Sequence, residues 1–257
     1  MKTFNTFSEE RELLLMSATS DRYEKEVADT INMMAGMAAE RPSVSTSYPD
    51  VLITLHNNKR VHTWLEVKMN HTDNLSNPRA FYKDGKWQTT YKTPAATAMV
   101  EELNKSTETK AFIQNIAKFS GIDPKKIVIP TTLSLLKDPN AVPLNVMKQY
   151  MNQPSVNRYI MNKENYNLGD VVTKHYTIGK EEPAYYMQAA DDFYMISRKN
   201  PLKLPRNIPE LKGMGDFKVR VSTRSAYYEV QAEIKIKKMG SSNYSVKPGT
   251  RKKNPFT

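Results

Sequence analysis

The sequence predicts an α/β fold over the first half of the chain, followed by an α+β accessory region. Three observations carry this: an apolar stripe at helical spacing between residues 21 and 39, strict apolar alternation on either side of Asn57-Asn58-Lys59, and two amphipathic segments with start signals ahead of the apolar run Ile127-Val128-Ile129. The chain has 257 residues, enough for one large or two small domains. We expect domains at 1–137 and 138–240 and a basic tail at 241–257, with the first boundary near Lys137-Asp138-Pro139-Asn140.

Residues 8–18 read as a short helix. Ser20 or Asp21 then offers a cap for a longer helix running to about Ala39, which Arg41-Pro42 ends. On that helix Glu24 shares a face with Val27, Ala28, Ile31 and Met34, whereas Glu26 shares its face with Thr30 and Met33. An acid on the apolar face points inward.

The next two segments form a hairpin centred on Asn58, with Asn57-Asn58-Lys59 as its loop because Asn tolerates left-handed backbone angles. Antiparallel partners have position numbers with a constant sum, and for Asp50 and Glu66 that sum is 116. This register sets Asp50 opposite Glu66 and leaves Lys68 two residues on, on the same face. The other face collects Val51, Ile53, Leu55, Val61, Leu65, Val67 and Met69, broken only by Thr63. Leu52 and Trp64 lie on the acidic face, so that face is not simply solvated.

Residues 71–92 read as an irregular stretch with turn signals at Asn77-Pro78 and Asp84-Gly85, a candidate DNA-contacting loop that carries Trp87 and two tyrosines among basic residues. Thr93-Pro94 opens a helix to about Leu103, and Ser106 opens another that ends before Gly121. Ile127-Val128-Ile129 reads as a short buried strand. Beyond it, residues 143–151 and 168–176 read as short helices and 184–197 mainly as strand.

Two carboxylates on a rigid hairpin suit Mg²⁺, with Mn²⁺ as a substitute, because a hard cation keeps several waters and takes one or two protein carboxylates plus substrate phosphate. Lys68 beside them can orient or deprotonate an attacking water and balance charge at phosphorus. A third acid completes many such sites, and Glu24 is the choice for it, with Glu26 in reserve.

Asp50, Glu66 and Lys68, preceded by Glu24 on a helix, resemble the PD-(D/E)xK nuclease superfamily. The resemblance covers roughly the first half of the chain, and Glu24-Lys25-Glu26-Val27 is most similar to the acid-basic-acid-apolar helix of archaeal Holliday-junction resolvases. It implies a restriction-endonuclease-like core of helix, three-stranded meander, helix and strand, in which residues 127–129 would be the last strand. It also implies that Asp50 and Glu66 bind metal, that Lys68 assists the nucleophilic water and that Glu24 is the helical acid. The activity expected is Mg²⁺-dependent DNA endonuclease. The alternatives are a non-catalytic nucleic-acid-binding protein of the same fold, or a structure-specific or RNA nuclease using the same site. Cutting both strands of a duplex calls for a homodimer or higher oligomer.

Asp216 and Glu233-Ile234-Lys235 nearly repeat the spacing. A turn at Arg224-Ser225 would pair these acids too, although the hairpin's other face is almost wholly polar, as in an ordinary half-exposed hairpin. Charge agrees with a polyanionic partner: 38 Lys and Arg stand against 27 Asp and Glu, for a net charge of +11. From Ile234 to Thr257 there are seven basic residues and no acid, with Tyr244 and Phe256 interleaved, either a nucleic-acid arm or a solubilising tail. The chain has no cysteine, which excludes disulfides and thiolate chemistry and agrees with a reducing cytosol. No signal peptide or membrane span is visible, so an intracellular, soluble protein is expected. The four histidines fit no zinc spacing, although His62 lies on the metal-facing side and could stand behind the metal's direct ligands.

Overall fold

Asn32 decides where the first helix stops. Its side-chain amide donates to the Ala39 carbonyl at 2.8 Å and its Oδ1 accepts from the Ala39 amide at 2.7 Å, so the segment expected as helix to residue 39 folds back as a strand. Gly36, at φ 74°, makes the reversal in a left-handed conformation that glycine adopts without strain. The computed structural model describes residues 19–42, 48–71, 73–130, 137–211, 213–237 and 240–257. Within them α1 covers residues 19–32 and β1 covers Ala38–Glu40. The helix expected over residues 8–18 lies outside the described residues.

The hairpin follows as β2 (Val51–His56) and β3 (Lys59–Lys68). Val51 faces Leu65, Leu52 faces Trp64 and Ile53 faces Thr63, the register expected from the sum of 116. Toward the tip the pairing slips by one, to Leu55 with Arg60 and His56 with Lys59. The loop is therefore two residues, Asn57 and Asn58 at φ 50° and 59°, the tight turn that matches strand twist. A bulge between Ile53 and Leu55 absorbs the difference and leaves the base of the hairpin in register.

The chain continues through β4 (Asn74–Ser76), β5 (Arg79–Lys83), β6 (Lys86–Gln88), α2 (Pro94–Lys105), α3 (Thr107–Ser120), α4 (Leu144–Met151), β7 (Tyr159–Asn167), α5 (Gly169–Ile178), β8 (Ala184–Ala189), β9 (Asp192–Met195), β10 (Met214–Thr223) and β11 (Tyr228–Ile236). The start signals act as read: the Thr93 side chain accepts from the Ala96 amide, the Ser106 side chain from the Thr109 amide, and Gly121 ends α3 at φ 71°. The strand β7 had no clear signal in the sequence. Among the described residues, no helix is long and apolar enough to cross a membrane.

The architecture is mixed α/β, with two sheets that belong to two compact units. One unit comprises Met1–Asp73, Tyr176–Lys212 and Lys238–Thr257, and the other Asn74–His175 and Gly213–Lys237. The division does not fall at residue 137. That position lies inside the second unit, because strands far apart in sequence pair across it.

In the first unit the sheet order is β1-β2-β3-β8-β9, with β8 parallel to β3 and the other pairs antiparallel. Val51, Ile53, Leu65 and Val67 are buried with Val27, Ala28 and Ile31 of α1, and each such side chain contributes about 1.5–3 kcal/mol by leaving water. The C-terminal segment joins this core. Tyr244, Val246 and Phe256 are buried in the same cluster, Phe193 donates its amide to the Tyr244 carbonyl at 2.9 Å, and Lys252 Nζ donates to Asp192 Oδ1 at 2.7 Å. It is a docked segment rather than a free basic tail, because its aromatic residues fill the core while basic side chains such as Lys247, Arg251 and Lys253 remain exposed.

In the second unit the order is β6-β5-β11-β10-β7, and β4 also pairs with β11. The stretch read as an irregular loop is thus largely strand, and Trp87, 2% exposed, packs edge-on against Tyr82 with ring centroids 5.3 Å apart. Trp87 is core, not a DNA contact. Residues 127–129 are buried as expected, but Ile129 bridges to Tyr82 and Val128 to Ala141. The strand that continues the first sheet beside β3 is instead β8, more than a hundred residues later.

Candidate active site

Asp50 stands one residue before β2, so it hangs at the sheet end where β3 delivers Glu66 and Lys68. Its Oδ2 accepts from the Val67 amide at 2.8 Å, which fixes the carboxylate across the hairpin. Lys68 Nζ donates to Glu66 Oε1 and lies 3.9 Å from Asp50 Oδ2. Glu66 is 1% exposed. The structure therefore brings together three of the four residues expected at the site, on the face opposite the core formed by Val51, Leu65 and Val67.

Two residues that the sequence did not single out join them. Tyr176, near the end of α5, is fully buried, and Lys180 follows in the bend before β8. Lys180 Nζ lies 3.9 Å from Glu66 Oε2, donates to the Tyr48 carbonyl at 3.3 Å, and sits 5.9 Å from the centre of the Tyr176 ring. No local pattern marks either residue, since both lie more than a hundred positions from the hairpin. Only the parallel pairing of β8 with β3 brings them in.

The electrostatics follow from burial. Desolvation, and then the negative charge of Glu66, push the Asp50 carboxyl up to about 7 against the opposing pull of Lys68. For Lys68, burial acts to weaken the charged form, but Glu66, Tyr176 and Asp50 outweigh it and hold the ammonium well above its ordinary range. Burial holds the Tyr176 hydroxyl protonated far above the usual tyrosine range. Lys68 is thus an ammonium beside two carboxylates, of which Asp50 is the one short of compensating charge.

Glu24 faces inward, 8% exposed, as its place on the apolar stripe predicts. Its carboxylate is engaged locally: Oε1 accepts from the Ser20 hydroxyl at 3.0 Å and Oε2 from Arg41 Nε at 2.7 Å. Its charge still reaches Asp50, adding to the upward shift. Glu26 is exposed and 3.6 Å from Arg22, on the solvent side of the helix. Among the described residues, no group of three or more His, Asp or Glu is gathered in a metal-holding arrangement. His62, expected near the metal-facing side, is exposed and 3.9 Å from Glu182.

The near-repeat at Asp216 does not pair its acids. The register of β10 and β11 sets Asp216 opposite Lys235 and Lys218 opposite Glu233, two positions away from pairing the acids. Asp216 Oδ1 is 3.2 Å from Lys237 Nζ, and Glu233 Oε1 is 2.7 Å from Arg220 Nε. The Gly213-Met214-Gly215 run serves packing: a Cβ at Gly213 would strike the Gly169 backbone and one at Gly215 the Lys235 carbonyl. No family model, curated protein or solved structure matches the chain.

Proposed function

We propose that the protein is a Mg²⁺-dependent DNA endonuclease with a restriction-endonuclease-like core. The observation that carries the reading is the convergence of Asp50, Glu66 and Lys68 at one sheet end, in the register that their chemistry requires. The order α1, β1, β2, β3 and, after the intervening β4–β7 and α2–α4, α5 and the strand β8 parallel to β3 supports it, since with that insertion it follows the helix, meander, helix and strand implied by the resemblance.

The donor set fits a divalent cation. Burial, and then the neighbouring charge of Glu66, lift Asp50 to about 7, and these two carboxylates are the hard oxygen donors that a divalent cation would take. Asp50 and Glu66 would hold it, and when bound it supplies charge for the phosphate and a more acidic water. The Val67 amide keeps Asp50 aimed, and Lys68 carries its proton and charge beside the pair, placed to hold the attacking water. Glu24 remains the helical acid, acting on Asp50 by charge while Arg41 holds it. The net charge of +11 favours DNA as the polyanion, and a homodimer would place two such sites on a duplex.

The test is nicking of supercoiled plasmid with Mg²⁺, Mn²⁺ or EDTA by wild type, Asp50→Ala and Lys68→Ala. Metal-dependent nicking by wild type, lost in both variants, is the expected outcome. Binding without cleavage of plasmid, single-stranded DNA or RNA would replace the nuclease with a binding protein, and cleavage of RNA alone would change the substrate.

A further inference from the structure

We propose that Lys180 is a second cationic group of this site, one that contacts the phosphate of the bound nucleic acid rather than serving only as a structural ion pair. The inference rests on the nuclease reading above. Glu66 lies between two lysines, with Lys68 on Oε1 and Lys180 3.9 Å from Oε2. A carboxylate that only needed neutralising would be served by Lys68, already in direct contact. Lys180 has an 11% exposed side chain and hangs from the bend before β8 rather than from the hairpin, so its ammonium approaches the pair from a different direction. Its donation to the Tyr48 carbonyl ties it to the turn that presents Asp50.

The charges set the role. Glu66 meets both Lys68 and Lys180, whereas Asp50 has Lys68 alone as an ion-pair partner within 4.0 Å among the described residues. A divalent cation held by Asp50 and Glu66 would compete with Lys180 for Glu66, and an ammonium so displaced would suit a phosphodiester that gains negative charge on the way to the transition state. Lys180 would then be the ammonium that turns toward a phosphate oxygen, while Lys68 would hold the water. Lysine fits this task because its flexible stem carries a point charge with several donor directions.

Two readouts on Lys180→Ala and Lys180→Arg distinguish this role from a structural one: single-turnover cleavage of plasmid DNA, and binding of Mn²⁺ alone followed by calorimetry. Removing a cation beside the two acids is expected to tighten Mn²⁺ binding several-fold while cleavage falls about 100-fold, with Lys180→Arg recovering part of the rate. Unchanged cleavage in Lys180→Ala, beside a wild type that cuts, overturns this proposal and leaves the nuclease reading standing. Weaker Mn²⁺ binding together with a lowered melting temperature overturns it in favour of a structural ion pair. A wild type that cuts no substrate overturns both.

Discussion

Two hairpins of this protein carry nearly the same residues, and they do opposite things with them. In the first hairpin Asp50, just before β2, and Glu66 of β3 lie at positions that continue a register summing to 116, and they share Lys68. In β10 and β11, Asp216 faces Lys235 and Glu233 faces Lys218, so each acid is next to cations and neither acid meets the other. The acid spacing differs by one residue, 16 against 17, and the turn position does the rest. A two-residue turn of left-handed asparagines pins the first hairpin, whereas the second closes further along than Arg224-Ser225. Register, not spacing, separates a site of two facing acids from a network in which each acid meets its own cations.

The contrast breaks most plainly on activity. Replacing Glu66 by Gln is expected to slow metal-dependent cleavage on the order of 1,000-fold, while Glu233→Gln leaves the rate within about twofold of wild type, measured on the same plasmid under the same salt. Equal losses would mean that both hairpins serve the reaction.

Stability sharpens it, since the two hairpins should respond with opposite sign. In metal-free buffer at pH 8, Asp50→Asn removes a charge that burial and Glu66 disfavour, and should raise stability by about 1 kcal/mol. Glu233→Gln strips Arg220 of its partner and should lower it by about 1 kcal/mol, a modest figure because Arg220 is 40% exposed. Urea titrations of both variants read this directly.

The smallest expected effect is a pH dependence in the second unit. Burial pushes the Glu102 carboxyl up, but Lys163 and Tyr166 outweigh it and hold it below the ordinary glutamate range. A depressed carboxylate binds fewer protons folded than unfolded, so its contribution is present above the usual glutamate range and disappears as pH falls through the folded value. The gap in stability between wild type and Glu102→Gln should therefore narrow from pH 6 to pH 3. A gap that stays constant would show that Glu102 contributes through packing alone.

Much of the first site was legible because its causes are local. The alternation of Val51, Ile53, Leu65 and Val67 fixes which faces are buried, and face and register together place Asp50, Glu66 and Lys68. Glu24 pointed inward for the same reason, its spacing from Val27, Ala28 and Ile31. Its pairing with Arg41 was not legible, since Arg41 lies beyond a fold-back set by Asn32 and Gly36. The basic C-terminus misled because charge counts ignore Tyr244, Val246 and Phe256, which are few but buried.

The sequence by itself determined the elements whose signals lie within a turn or a strand pair: the capped helices α2 and α3, the hairpin of β2 and β3 with its acidic face, and an α/β class. Tertiary structure alone decided which strand lies beside β3, that Lys180 and Tyr176 reach the acids, and that Asp216 and Glu233 stay apart. Those outcomes depend on pairings between segments a hundred or more residues distant or on a turn closing one position further along. Such choices are made by the summed burial and hydrogen bonding of whole strands, which leave no mark on the few residues at a motif.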